Sequence, residues 1–129
     1  MAEAVIRLQN ITKRFGPVIA NSNVSMEVNS GEILALLGEN GSGKTTLMNM
    51  LSGIYFPDAG KIFVNGKEVL ISSPKIAFEL GIGMVHQHFK LIDVLTATEN
   101  IILGMEGKLN VKEAAAKIQE ICKRYGFEV

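Results

Sequence analysis

Residues 38–45 read Gly-Glu-Asn-Gly-Ser-Gly-Lys-Thr, a glycine-rich loop closed by Lys-Thr in the pattern G-x-x-x-x-G-K-T. Before it runs Ile33-Leu34-Ala35-Leu36-Leu37, an unbroken apolar stretch of the kind expected of a strand buried on both faces. After it, from Lys44 to Ser52, Leu47, Met48 and Leu51 recur at helical spacing. Strand, glycine turn and helix in that order make the pattern a phosphate-binding loop. Gly38, Gly41 and Gly43 let the backbone bend so that its N–H groups converge on an anion. The helix start adds unpaired donors and the positive end of its dipole. Lys44 is expected to reach the β- and γ-phosphates, and the Thr45 hydroxyl to ligate Mg²⁺. Glu39, Asn40, Ser42 and Thr46 complete the nucleotide-binding segment. The chain is therefore expected to fold as an α/β P-loop NTPase and to bind a nucleoside triphosphate.

The flanking sequence supplies the rest of the fold. Ala4 to Ile11 and Asn23 to Val28 read as strands, with Lys13-Arg14-Phe15-Gly16-Pro17 a turn between them. Lys61-Ile62-Phe63-Val64 and Lys67-Glu68-Val69-Leu70 flank Asn65-Gly66, a strong hairpin signal. This predicts an antiparallel β layer around one buried strand. Ser73-Pro74 reads as an N-cap and first helical residue, opening a short helix through Leu80. Gly83-Met84-Val85-His86 reads as a short buried strand. Thr96 to Glu99 and Asn110 to Glu113 carry capping-residue-then-Glu spacing before apolar runs. The last helix sets Val111, Ala114, Ala115, Ile118, Ile121, Cys122 and Tyr125 on one stripe and ends at Gly126.

Composition excludes several roles. With 13 Lys+Arg against 13 Asp+Glu in 129 residues, no net field draws the chain to nucleic acid or to an acidic bilayer. The single cysteine, Cys122, excludes an internal disulfide and fits a reducing compartment. No stretch approaches the ~18 apolar residues of a membrane span. His86 and His88 lack neighbouring Cys or His to complete a metal site and read as ordinary polar residues.

Two further features narrow the class. Phe15, flanked by Lys13, Arg14 and Gly16, is an aromatic in a loop ahead of the phosphate loop. Gly81-Ile82-Gly83-Met84-Val85-His86-Gln87 ends a strand in glutamine. With the phosphate loop and the wording Gly60-Lys61-Ile62-Phe63-Val64-Asn65-Gly66, the chain resembles the ATP-binding subunit of an ABC transporter from about Val5 to Gly104. Residues 86–104 resemble the importers of simple sugars and nucleosides within that family. The resemblance implies that Phe15 stacks on adenine and that Gln87 is the Q-loop glutamine, acting in catalysis beside Lys44 and ligating Mg²⁺ beside Thr45. It implies that transmembrane permease subunits dock on the apolar cluster Phe89, Leu91, Ile92, Val94 and Leu95. Self-packing onto the helix from Thr96 is the alternative for that cluster. It also implies a second ATP-binding domain as partner and a peripheral place on the cytoplasmic face of the membrane.

By the same resemblance, residues 1–129 are the N-terminal part of one ATP-binding domain. About 1–88 form the β layer and nucleotide-binding core, and about 89–129 begin the helical subdomain. The signature motif, the Asp-Glu strand and the switch His of the family are not in the sequence, so the chain alone is expected to hydrolyse little ATP. A soluble ABC-type ATPase without a permease, or another P-loop NTPase, are the alternatives. The Asn-Lys-x-Asp motif of GTPases does not occur.

Overall fold

The computed structural model describes residues 3–88, 90–108 and 110–128. These form two compact units, divided between Val85 and His86. The first holds a four-stranded antiparallel sheet in the order β2-β1-β3-β4, built from β1 (Ala4–Phe15), β2 (Val18–Asn29), β3 (Ala59–Val64) and β4 (Lys67–Val69). It also holds the helices α1 (Lys44–Leu51) and α2 (Pro74–Glu79). The second unit carries α3 (Ala97–Ile102) and α4 (Val111–Tyr125).

The first two strands run longer than their apolar pattern suggests. Lys13, Arg14 and Phe15 belong to β1, not to a loop, and the turn shrinks to Gly16-Pro17, with Phe15 paired to Val18. The pattern hides this because β1 is bulged. Leu8 and Ile11 are both buried, although residues three apart in a regular strand face opposite ways. The register shifts between them, and Asn10 sits there at φ 52°, turning Ile11 back to the core. The Asn10 N–H donates to Ser25 Oγ (2.9 Å), and the Ser25 hydroxyl donates to Asn10 Oδ1 (3.2 Å), which holds the bulge.

Leu8, Ile11, Leu47, Met50, Leu51, Ile62, Ile71 and Ala77 form one buried cluster between the sheet and the two helices of this unit. Each fully buried Leu, Ile or Met contributes about 1.5–3 kcal/mol. The hairpin between β3 and β4 pairs Val64 with Lys67 across Asn65-Gly66, both at positive φ as a type I′ turn requires. Ser73 caps α2 by accepting the Ile76 N–H (3.3 Å), with Pro74 as the first helical residue.

The two strands expected to be buried are not formed. Residues 32–39 and 82–86 have no regular structure; Ile33 is 99% exposed and Val85 98%. A strand exists only through ladder partners, and the described residues place none beside either segment. Leu34, Leu36, Met48, Leu51, Ile82 and Met84 instead line an open apolar groove of about 400 Å³.

In the second unit, Thr96 and Glu99 form the expected capping box of α3. Asn110 caps α4 and Gly126 closes it in the left-handed conformation. The stripe on α4 is only partly covered: Ala114, Ala115, Ile118 and Cys122 are half-buried, and no residue of the helix is fully buried. Cys122 is thus less enclosed than its place on the stripe implies.

Candidate nucleotide site

The phosphate loop folds as its glycines dictate. Gly41 and Gly43 lie at φ 83° and 87°, and Gly43 is the N-cap of α1. At Gly43 the need for glycine is twofold, because a Cβ there would also strike the Ala20 carbonyl oxygen on β2. No side chain caps α1 and no acidic residue lies in its first turn. Its leading N–H groups are therefore open to an anion, and the helix dipole adds positive potential there.

The Lys44 ammonium folds over the loop, donating to the carbonyls of Gly38 (2.6 Å) and Glu39 (2.7 Å) and to Ser42 Oγ (3.2 Å). These contacts occupy all three of its protons, so a phosphate oxygen reaching Lys44 must share or displace one. Gly38 permits this close packing, since a Cβ would lie 2.7 Å from Ser42 Oγ. Glu39, Asn40 and Gly41 are exposed, as is Thr45 in the first helical turn; Thr46 is half-buried.

Asn21 carries no motif, yet it anchors the loop. It is 6% exposed and its Nδ2 donates to the Gly43 carbonyl (3.1 Å). Its Oδ1 is buried without a partner. The same Gly43 carbonyl accepts the Leu47 N–H (3.0 Å), so Asn21 grips the residue from which α1 starts. An isolated Asn in a strand gives no sequence signal; a polar residue on the inward face of β2 is the nearest to one.

Phe15 lies on the same hairpin. Its partner Val18 is two residues from Ala20, about 7 Å along β2. The structure therefore brings the aromatic, at the end of β1, and the phosphate loop, held by β2, onto one hairpin. The Phe15 ring is 41% exposed and packs edge-on against Tyr55, with centroids 5.1 Å apart at 69°. Lys13 Nζ lies 5.3 Å from the Phe15 centroid and 3.2 Å from Asp58 Oδ1. Asp58 Oδ2 accepts the Arg14 N–H at 2.7 Å. That backbone hydrogen bond, then the one from Lys13, holds the Asp58 carboxyl below the usual carboxylate range.

Gln87 belongs to the second unit, where it is exposed in an irregular segment, not at the end of a strand. Of the apolar cluster, Leu91 is 67% exposed, Val94 90% and Ile92 40%, and Leu95 is half-buried. Phe89 lies outside the described residues. Asn100, which the sequence does not mark, staples this segment. Its Nδ2 donates to the carbonyls of Ile92, Leu95 and Thr96 (3.1, 3.2 and 3.1 Å), and its Oδ1 accepts the Ile92 N–H (2.8 Å). Leu91 and Val94 therefore project from a fixed turn. No helix among the described residues is long and apolar enough to cross a membrane.

Comparison with known proteins gives the family of the chain. The family description "ABC transporter" matches residues 21–129. The guanosine import ATP-binding protein NupO of Bacillus subtilis is 52% identical over 131 residues, covering 98% of this chain and 26% of that protein. The nucleoside import ATP-binding protein NupA of Lactococcus lactis is 54% identical, again over 98% of this chain and 26% of that protein. Among solved structures, a dimeric post-hydrolysis state of the ATP-binding cassette MJ0796, bound to ADP and Pi, is similar with a TM-score of 0.77 and 28% identity. It is covered over 58% of its length by 95% of this chain. The chain thus spans about a quarter of the length of those curated relatives.

Proposed function

The chain belongs to the ABC transporter family, and from that premise we propose that it is the nucleotide-binding part of a subunit coupling ATP binding and hydrolysis to solute import. One observation carries the proposal: a phosphate loop seated at an uncapped helix N-terminus, with Lys44 folded over it and Gly43 pinned to β2. The triphosphate lies on the loop N–H groups, and Lys44 exchanges one loop oxygen for a phosphate oxygen. Phe15 supplies a flat apolar face for adenine, which needs no hydrogen-bond code. The loop and aromatic ring hold the substrate; the water-positioning carboxylate and the opposing signature belong to the longer protein.

Thr45 offers an exposed hydroxyl in the first turn of α1, a neutral hard oxygen of the kind Mg²⁺ accepts beside substrate phosphates. Gln87, from its motif, offers an amide oxygen of the same character. When bound, Mg²⁺ neutralises charge on the β- and γ-phosphates. On this reading about 1–88 form the β layer and nucleotide core, and about 89–129 begin the helical subdomain. A second ATP-binding domain and transmembrane permease subunits are the partners, which places the protein at the cytoplasmic face of the membrane.

A nucleoside is the favoured cargo, with simple sugars the neighbouring possibility; support comes from the likeness to NupO and NupA. The full-length protein, reconstituted with its permease in vesicles, should drive uptake of labelled nucleosides only when ATP is present on its own side. ATP turnover without nucleoside or sugar uptake contradicts the proposal.

A further inference from the structure

Resting on Phe15 as the nucleobase platform, we infer that Tyr55 and Asp58 are positioning residues that fix the Phe15 ring for the base. Phe15 ends β1 beside a two-residue turn, a place where a lone exposed ring would have rotamer freedom. One short segment restricts it, through Tyr55 at the ring and Asp58 on the residues that precede it. Tyr55 packs edge-on against the ring. Asp58 accepts the Arg14 N–H directly before Phe15 and the Lys13 ammonium, and its own N–H donates to the Thr12 carbonyl at 2.9 Å. Lys13, held by that ion pair with its side chain 15% exposed, stands over the ring.

Asp58 therefore engages three consecutive residues, Thr12 to Arg14, immediately ahead of the aromatic. The segment is tied in turn to the end of α1, because the N–H groups of Ile54 and Tyr55 both donate to the Asn49 carbonyl (2.9 and 3.1 Å). Since α1 begins at the phosphate loop, one eight-residue helix of about 12 Å links the phosphate seat to the segment that holds the ring. A ring already fixed loses less freedom when a base stacks on it, so its affinity is higher for the same contact area.

The test compares binding of Mg·ATP with binding of inorganic tripolyphosphate to the full-length protein by calorimetry. Tripolyphosphate carries the phosphates and no base. Tyr55→Ala and Asp58→Ala should each weaken ATP binding about two- to fivefold, no more than loss of the Phe15 face itself. Tripolyphosphate affinity should stay within about twofold, and Tyr55→Phe, which keeps the edge contact, should bind ATP like the parent. In a Phe15→Ala background, Tyr55→Ala should have no further effect on ATP. Equal losses of ATP and tripolyphosphate would mark the segment as generally structural and overturn the inference. So would ATP affinity that falls in Phe15→Ala and stays unchanged in Tyr55→Ala and Asp58→Ala. Unchanged ATP affinity in Phe15→Ala itself would remove Phe15 as the platform, and the inference with it.

Discussion

Gly43 and Gly41 offer a controlled pair for testing how the phosphate loop is held. Both sit in the left-handed region, at φ 87° and 83°, so alanine at either position pays the same backbone strain, about 1–2 kcal/mol. Their surroundings differ. A Cβ on Gly41 meets nothing within 4 Å, whereas one on Gly43 strikes the Ala20 carbonyl oxygen and lies 2.9 Å from Asn21 Nδ2. Strand β2 cannot retreat without breaking its ladder with β1, so the loop must move instead. That separates Gly43 from Asn21 Nδ2 and leaves a buried amide with neither end paired, since its Oδ1 already lacks a partner. Losing that bond adds about 1–3 kcal/mol. Gly43→Ala should therefore cost about 2–5 kcal/mol in all, against about 1–2 for Gly41→Ala. Hydrogen exchange at the amides of α1, in the nucleotide-free full-length protein, reads this local stability. The Gly43 variant should open at least about fivefold more often than the Gly41 variant, the equivalent of the added 1 kcal/mol. Equal protection in the two would refute the view that Asn21 and β2 hold the loop.

Three other expectations follow from particular contacts. Lys44→Ala should weaken Mg·ATP binding by about 2–3 kcal/mol and Phe15→Ala by about 1, because a charge-assisted contact outweighs one stacked face; calorimetry giving equal or reversed losses contradicts the assignment. The Thr96 backbone N–H, then its hydroxyl, holds the Glu99 carboxyl below its ordinary range. Its native pKa lies beneath the unfolded value of about 4.3, so its support of α3 is complete above that pH and is lost as pH falls through the depressed native pKa. Glu99→Gln should accordingly lower α3 protection at pH 7 and leave it less sensitive to acid, and an acid profile identical to the parent's would count against the box. Charged replacements at Leu91 and Val94, exposed on the turn that Asn100 fixes, should abolish co-purification of the full-length protein with its permease while leaving ATP affinity within about twofold; normal assembly and transport would place the interface elsewhere.

The local elements were legible in the sequence because their causes are local. Ser73-Pro74, Thr96 with Glu99, Asn110 and Gly126 state helix ends through side chains and backbone freedom within a single turn. Asn65-Gly66 states a hairpin for the same reason. The phosphate loop is equally local: eight consecutive residues bend, donate and carry the charge, so its chemistry could be read without any fold.

Tertiary structure decided whatever depends on residues far apart in the chain. The bulge at Asn10 returns Ile11 to the core through Ser25, fifteen residues away, so strict alternation underestimates β1 and misplaces Phe15 in a loop. Asn21 meets Gly43 across twenty-two residues, and Asp58 meets Arg14 across forty-four; neither carries a motif because its partner is chosen by the fold. The apolar run Ile33 to Leu37 shows the opposite limit. Hydrophobicity specifies that a segment is to be covered, but a strand comes into being only with the neighbour whose N–H and C=O groups complete its ladder. Among the described residues that neighbour is not present, and the run lies open although its composition alone announced a buried strand.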